Sequence, residues 1–582
     1  MAKKIYKSLP DMSKARNRVD LPTIHRKDIH IDEEVASFLN GKKYWISTFG
    51  CQANVRDQEI MAGYLSLAGA VASPDEKSAD VVIINTCAVR ENAEEKVYGE
   101  IGKFKANHQR DPNFILGVCG CMMQEENVAK EIMARYPFVN LVFGTHNISH
   151  ILDLIGEHLA RKKDLVEVLS YPGDIVENLP STRLDDCKAY VNITYGCDKF
   201  CTYCIVPYTR GRERSRAKED ILAECKELVE KGYQEITLLG QNVNSYGKDF
   251  HDGTSFATIL EEVAKLGIPR LRFMTSHPWD FSEDMLRVIA KYPNIMKCIH
   301  LPVQSGSSEV LKRMGRRYTR EEYLALVKKI RELIPGVALT TDIIVGFPGE
   351  TAEQFEETLT LCAEVGYDAA FTFIYSPRRG TPAARMEDGV SDEEKHRRFD
   401  RLVKEVERGV IRHAEEMLGK TYSVLVDGPS KKDPDMLSGY TETGKLVHFK
   451  GPKQLRGLIV DVHITESHTF SMLGELVEDP WLILGRRLGA KLLEEEATKR
   501  YLAAKEAVDK DASLAELRDQ IEEAQREMMH RANVKDDEGY AKAKKSFESL
   551  QKAYQFHPLI QNLAAAGDEL RALLIEVMER LS

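Results

Sequence analysis

Between residues 185 and 415, six apolar strand-forming runs alternate with amphipathic helical stretches. The runs are 189–195, 235–240, 270–276, 297–303, 338–347 and 368–376. Neighbouring parallel strands need a crossover long enough to hold a helix, so this alternation predicts a parallel sheet with helices outside it. Six such units predict a partial (β/α)6 barrel, with its chemistry at the C-terminal ends of the strands. The same alternation runs through 41–160, with strands at 43–49, 80–86, 113–119 and 139–143 and helices at 54–68, 92–108, 124–135 and 147–160. An open parallel α/β domain is expected there, and such sheets bind ligands beyond the C-terminal edge of their strands.

The chain is longer than a single core supports, so an α/β multidomain protein is expected. Residues 1–40 read as a flexible lead, 41–160 as the N-terminal α/β domain and 183–415 as the barrel. A polar linker with Pro and Gly lies near 172–183. Residues 418–480 read as a small β-barrel with strands at 421–426, 446–450, 457–464 and 474–477. Residues 483–582 read as a helical bundle, with an apolar stripe of Leu514, Leu517, Ile521 and Ala524. No run of about 18 apolar residues predicts a membrane span. The N-terminus has no apolar core of a signal peptide, so a cytoplasmic location is expected. A net charge of −10 excludes a wholly basic nucleic-acid coat but allows a local basic groove. Eleven cysteines, an odd number in such a chain, point to metal or catalytic use rather than a disulfide framework.

The strongest chemical signal is Cys197-Asp-Lys-Phe-Cys201-Thr-Tyr-Cys204. Three thiolates on one loop can hold three irons of a 4Fe–4S cubane and leave the fourth iron open to a small chelating molecule. A zinc site would need a fourth protein ligand nearby, and none follows Cys204. The loop follows the first barrel strand, where a barrel active site belongs. A second constellation comprises Cys51, Cys87 and Cys121, each just beyond the C-terminal end of a predicted parallel strand. That common position predicts convergence on one sheet edge. Cys119 is expected to remain in its strand as a small hydrophobe, which leaves Cys121 as the ligand. Cys225, Cys298 and Cys362 read as core residues, and Cys187 has no assigned role.

The three-cysteine loop, with Tyr203 before its last cysteine, resembles the signature of the radical S-adenosylmethionine (SAM) superfamily. The segments 50–57, 85–90 and 195–208 resemble the methylthiotransferases within it, the MiaB-type subgroup in particular, as do 210–216, 239–247, 300–306 and 346–351. The resemblance covers roughly residues 42–480. Ala53 and Gln58 depart from the family pattern without removing a ligand. The resemblance implies two 4Fe–4S clusters, one on Cys197, Cys201 and Cys204 and an auxiliary one on Cys51, Cys87 and Cys121. It also implies SAM as cofactor and tRNA as substrate. The implied reaction replaces hydrogen on adenine C2 of N6-isopentenyladenosine, next to the anticodon, by a methylthio group. Electrons would come from a flavodoxin- or ferredoxin-like donor. Sister activities act on N6-threonylcarbamoyladenosine or on an aspartate of a ribosomal protein, and the Gln-Ala-Asn after Cys51 favours the isopentenyl substrate. A non-catalytic iron–sulfur scaffold is the reading from another class; the open iron argues against it.

Candidate SAM-binding groups, besides Tyr203, sit at or near barrel strand ends: Gln241, Asn242, Ser276, His277, Gln304, Ser305, Thr341 and Asp342. Arg210, Arg212, Arg214 and Arg216 follow the cluster loop and are candidate phosphate contacts. Residues 420–477 resemble the TRAM domain, which is similar to an oligonucleotide-binding barrel, so Lys445, His448, Phe449 and Lys450 are candidate RNA contacts. Residues 483–582 resemble the YlbF/YmcA-type helical domain and carry no cysteine. Self-association or a protein partner is expected through them.

Overall fold

In the computed structural model, residues 4–16, 24–26, 29–88, 91–125, 127–170 and 175–581 are described. They divide into two compact units, 1–477 and 478–582. The N-terminal domain is built on a seven-stranded parallel sheet in the order Ile5–Ser8, Leu165–Glu167, Leu141–Phe143, Ile115–Gly120, Val81–Thr86, Lys43–Thr48, Val71–Ala72. Its central strands Val81–Thr86 and Ile115–Gly120 are buried at every position, because helices cover both faces. Ile83, Ile115 and Leu141 pack on one face, and Val82, Ile84, Leu116 and Val142 on the other. The four predicted strands and their helices are all present.

The lead expected over 1–40 is structured in its described parts. Ile5–Ser8 adds a strand beside Leu165–Glu167, Ile24–Arg26 pairs with Ile175–Glu177, and Glu33–Leu39 is a helix capped by Asp32. Strand pairing with residues about 160 positions away leaves no local signal in so short a segment.

The barrel is formed by two parallel three-stranded sheets, Lys188–Asn192, Glu235–Leu239, Arg270–Phe273 and Cys298–His300, Ala338–Val345, Ala369–Ile374. A bridge between Leu271 and Ile295 connects them. Helices cover the outer face, where Val191, Ile236, Leu271, Ile299 and Ile343 meet Leu260, Tyr323 and Leu402. Thr421–Pro429, Met436–Thr441, Leu446–Lys450, Ile459–Ser467 and Ser471–Leu476 close a five-stranded barrel. Its second strand escaped the sequence reading because polar residues surround Gly439, where a Cβ would lie 2.3 Å from the Leu425 carbonyl. This small barrel sits against the N-terminal ends of the parallel strands. There Arg270 donates to the carbonyls of Tyr440 (2.7 Å) and Ser423 (2.8 Å).

Residues 478–582 fold as five helices, with Glu496–Lys510 against Pro558–Leu581 and Ala512–Asn533 against Asp537–Gln555. Leu514 is fully buried, and Leu517, Ile521 and Ala524 are half-buried along the predicted stripe.

Candidate active site

Each cysteine of the first trio is placed by the end of a strand. Cys51 caps the helix Gln52–Leu67 after the strand Lys43–Thr48, Cys87 follows Val81–Thr86 directly, and Cys121 follows Ile115–Gly120. Asn54 ties these loops together. Its amide nitrogen donates to the carbonyls of Phe49 and Thr86, both at 2.8 Å. Its amide oxygen lies 3.8 Å from the sulfurs of both Cys51 and Cys121. Two glycines make room: a Cβ on Gly50 would lie 2.9 Å from the Cys87 sulfur, and one on Gly120 would lie 2.5 Å from the Thr86 carbonyl. Cys119 stays in its strand, fully buried, with its sulfur 3.8 Å from that of Met61.

The second trio lies on the loop after Lys188–Asn192 and the short strand Thr194–Tyr195. Gly196 has φ +75°, and a Cβ there would lie 2.1 Å from the Arg212 carbonyl, so only glycine fits. The loop is pinned where Cys197 N donates to Gly211 O (3.1 Å) and Thr202 N donates to Met314 O (2.9 Å). Arg316 reaches the Cys201 sulfur at 3.7 Å while donating to Pro302 O at 2.6 Å. Burial pushes the thiols of Cys121 and Cys204 up to about 12 and that of Cys197 higher than usual. Such thiols give up their protons only when a metal binds.

The loops that carry the two trios meet at a domain junction. Ala88 and Cys121 of one domain pack on Ile205 of the other, with Met12 and Tyr208 beside them. Arg210 bridges the gap: it donates to the Cys121 sulfur at 3.3 Å, to Asn54 Oδ1 at 2.8 Å and to Asp57 Oδ2 at 2.7 Å. A second clasp lies behind it. Glu224 accepts from Arg56, Arg183 and Arg216 at 2.9, 2.7 and 2.8 Å, and Glu177 accepts from Arg216 at 2.6 Å. These groups line a cavity of about 330 Å³.

The basic run 210–216 is therefore corrected. Arg210, Arg214 and Arg216 are buried; Arg210 and Arg216 are bonded within the junction, and Arg214 lies over the Tyr195 ring. In the structure their partners are the protein's own acids and ring. Arg212 is half-buried and paired with Asp198 at 3.0 Å. Alternating charge in the sequence did not reveal the acids: Asp57 and Glu177 come from distant segments, and Glu224 is brought back to Arg216 by the fold. In the small barrel Phe449 is fully buried and belongs to the core. Lys445 is held by Asp368, donating to its carbonyl at 2.8 Å. His448 is half-buried and Lys450 is exposed.

The SAM candidates divide. Gln241 accepts from Gly196 N at 2.5 Å and so positions the cluster loop. Thr341 accepts from Val303 N (2.9 Å) and donates to Leu301 O (3.0 Å), and Ser305 lies 3.3 Å from the Thr358 hydroxyl; these groups serve the barrel itself. Gln304 has φ +74° at a bridge to Ile343. Asp342 lies on the inner face, 3.5 Å from His300. By contrast, Asn242 Oδ1, Ser276 Oγ and His277 Nε2 are buried without a partner. Burial, reinforced by Arg316, holds His277 neutral, with its pKa down to about 2. Sequence reasoning missed Asp280, which gathers Lys199, Lys248 and Asn242, each at 2.6 Å, beside these orphans.

Four family models match parts of this chain. Residues 191–362 match the Radical SAM superfamily, 43–144 the uncharacterized protein family UPF0004, 415–477 the TRAM domain, and 484–582 the family described as control of competence regulator ComK, YlbF/YmcA. The tRNA-2-methylthio-N(6)-dimethylallyladenosine synthase of Oceanobacillus iheyensis is 54% identical over 81% of this chain and 91% of its own. That of Bacillus subtilis is 52% identical over 80% and 92%. The chain belongs to this synthase family. The radical S-adenosylmethionine methyltransferase TsrM from Kitasatospora setae is similar at 14% identity and a TM-score of 0.46, over 67% of this chain and 79% of that one.

Like its superfamily, this synthase-family member uses SAM and 4Fe–4S clusters. The residues present fit them. A single zinc ion with sulfurs at 2.3 Å would bring them within roughly 4 Å of one another. Among the described residues neither cysteine trio is gathered within 4.8 Å; only Asp185, Asp186 and Cys187 are, and Arg456 pairs with both acids. The wider spacing suits a multi-iron cluster, and the three orphaned polar atoms suit a polar cofactor. No helix among the described residues is long and apolar enough to cross a membrane.

Proposed function

We infer that this chain is a tRNA methylthiotransferase that converts N6-dimethylallyladenosine to its 2-methylthio form. The observation that carries the reading is that the loops bearing the two cysteine trios meet at one domain junction, where Arg210 of the barrel reaches Cys121, in a chain 52–54% identical to such synthases. Cys197, Cys201 and Cys204 hold one 4Fe–4S cluster, and Cys51, Cys87 and Cys121 hold the other. When bound, the clusters and SAM supply radical and sulfur-transfer chemistry. The protein's part is placement. Arg316 and Arg210 set cations beside the sulfurs, so the buried sites tolerate the negative charge of thiolates. Asn242, Ser276 and His277 offer their free polar atoms to SAM. The adenine must leave its stack to reach the junction.

The N-terminal domain is centred on 41–160 and extended by the strands Ile5–Ser8 and Leu165–Glu167; the radical SAM domain spans 183–415, the RNA-binding TRAM domain 418–480 and the helical appendage 483–582. Arg212, His448 and Lys450 are the RNA contacts retained from the sequence reading. A flavodoxin- or ferredoxin-like protein supplies electrons, and the enzyme works in the cytoplasm. The test is anaerobic reconstitution with iron, sulfide, SAM and a synthetic anticodon stem-loop carrying N6-dimethylallyladenosine. Mass spectrometry of the digested RNA should show the 2-methylthio nucleoside. A product only from a threonylcarbamoyladenosine stem-loop would overturn the substrate.

A further inference from the structure

The inner face of the barrel's last strand is aromatic and uncovered. Along Ala369–Ile374, Ala370 and Ile374 pack outward with Leu339, Ile343 and Val345 under the helix layer. Alternation then turns Phe371 and Phe373 to the inner face. Their register partners on the neighbouring strand are Asp342 and Ile344. Phe371 is 55% exposed and Phe373 38%. Barrel interiors are normally filled by such side chains in layers, so two open phenyl rings here mark space kept for something else.

Their place relative to the chemistry is defined. Ile344, opposite Phe373, packs on the same apolar cluster as Tyr203, the residue before Cys204. Phe371 lies two residues further down, about 7 Å at the rise of a parallel strand. The His300 ring meets Phe371 edge-on at 6.1 Å, and its Nε2 is 3.5 Å from Asp342. The wall is thus two phenyl rings and an isoleucine, with one carboxylate beside them, starting next to the cluster loop.

We propose that Phe371 and Phe373 seat the N6-dimethylallyl group of the target adenosine and set the preference for an apolar N6 substituent. This rests on the substrate reading above. A branched five-carbon alkenyl group makes no hydrogen bonds, so an apolar wall is what can recognise it. An anionic N6 substituent, such as threonylcarbamoyl, would instead meet the carboxylate of Asp342.

The experiment measures the Kd of full-length reconstituted enzyme for two synthetic anticodon stem-loops, identical except for N6-dimethylallyladenosine or adenosine at the target position. It is run on wild type, Phe371→Ala, Phe373→Ala and Phe371→Leu, with iron content as the check on folding. Wild type should prefer the dimethylallyl RNA. Each Ala variant should lose about tenfold of that preference, as loss of apolar contact in a pocket does, with KM for that RNA rising more than kcat falls. Phe371→Leu should keep most of the preference. An unchanged Kd ratio in both Ala variants at full iron content overturns the proposal, as does equal weakening for both RNAs. Methylthiolation of the dimethylallyl RNA by wild type is scored separately. Its failure would strike the substrate reading, whereas an unchanged ratio in an active enzyme strikes only the seat.

Discussion

Glu224→Gln should weaken the junction at which the loops of the two trios meet. The carboxylate accepts from three arginines, and its side chain is only 16% exposed. Burial alone would raise its pKa, but Arg216, Arg56 and Arg183 outweigh it and hold the group at about 2, against an ordinary 4.5. That difference corresponds to about 3 kcal/mol of stability, in line with the roughly 3–5 kcal/mol for breaking a buried pair. The sign follows from the depressed pKa. The contribution is full above pH 4.5 and is lost as pH falls toward 2, reaching about half by pH 3. At about 2 cal/mol/K per residue over the 1–477 unit, 3 kcal/mol corresponds to a Tm shift of about 3 °C. Scanning calorimetry of wild type and variant at pH 7, with urea titrations of the cluster-free protein between pH 5 and 3, reads both effects. The variant should also form methylthio product more slowly relative to 5′-deoxyadenosine, because the trios lose their fixed relation. An unchanged Tm at pH 7, or a difference that does not shrink with acid, would refute the reasoning.

Three further outcomes are expected. Replacing Cys197, Cys201 and Cys204 together by Ala should halve the iron and abolish SAM cleavage, read by iron assay and 5′-deoxyadenosine; retained cleavage would remove these residues from the SAM-cleaving site. Replacing Cys51, Cys87 and Cys121 should spare 5′-deoxyadenosine but stop methylthio transfer, whereas Cys119→Ala, inside the sheet, should leave transfer intact apart from a modest packing loss. Truncation after Val477, the boundary of the first compact unit, should leave an enzyme that still modifies the stem-loop and loses only an association, read as solution mass and pull-down; a folded but inactive truncation would place the helices in the catalytic machinery.

The alternation of strands and helices, the two cysteine trios and the burial of Cys119 were legible from the chain alone. These depend on local periodicity and on the rule that parallel strands end on one edge, which needs no knowledge of distant partners. The family resemblance added the chemistry. Tertiary structure decided what periodicity cannot carry. The arginines of 210–216 read as candidate phosphate contacts, yet Arg210 and Arg216 are buried against Asp57, Glu177 and Glu224, acids 8 to 153 residues away. Phe449 looked like an RNA contact and became core when five strands closed on it. The strand Ile5–Ser8 exists because Leu165–Glu167 offers it an open sheet edge. That Asn242, Ser276 and His277 each keep a buried polar atom without a partner could be read only from the folded chain. A charge or a strand edge is satisfied by whatever the fold brings to it, and that partner is set by long-range packing rather than by the residues alongside it in the chain.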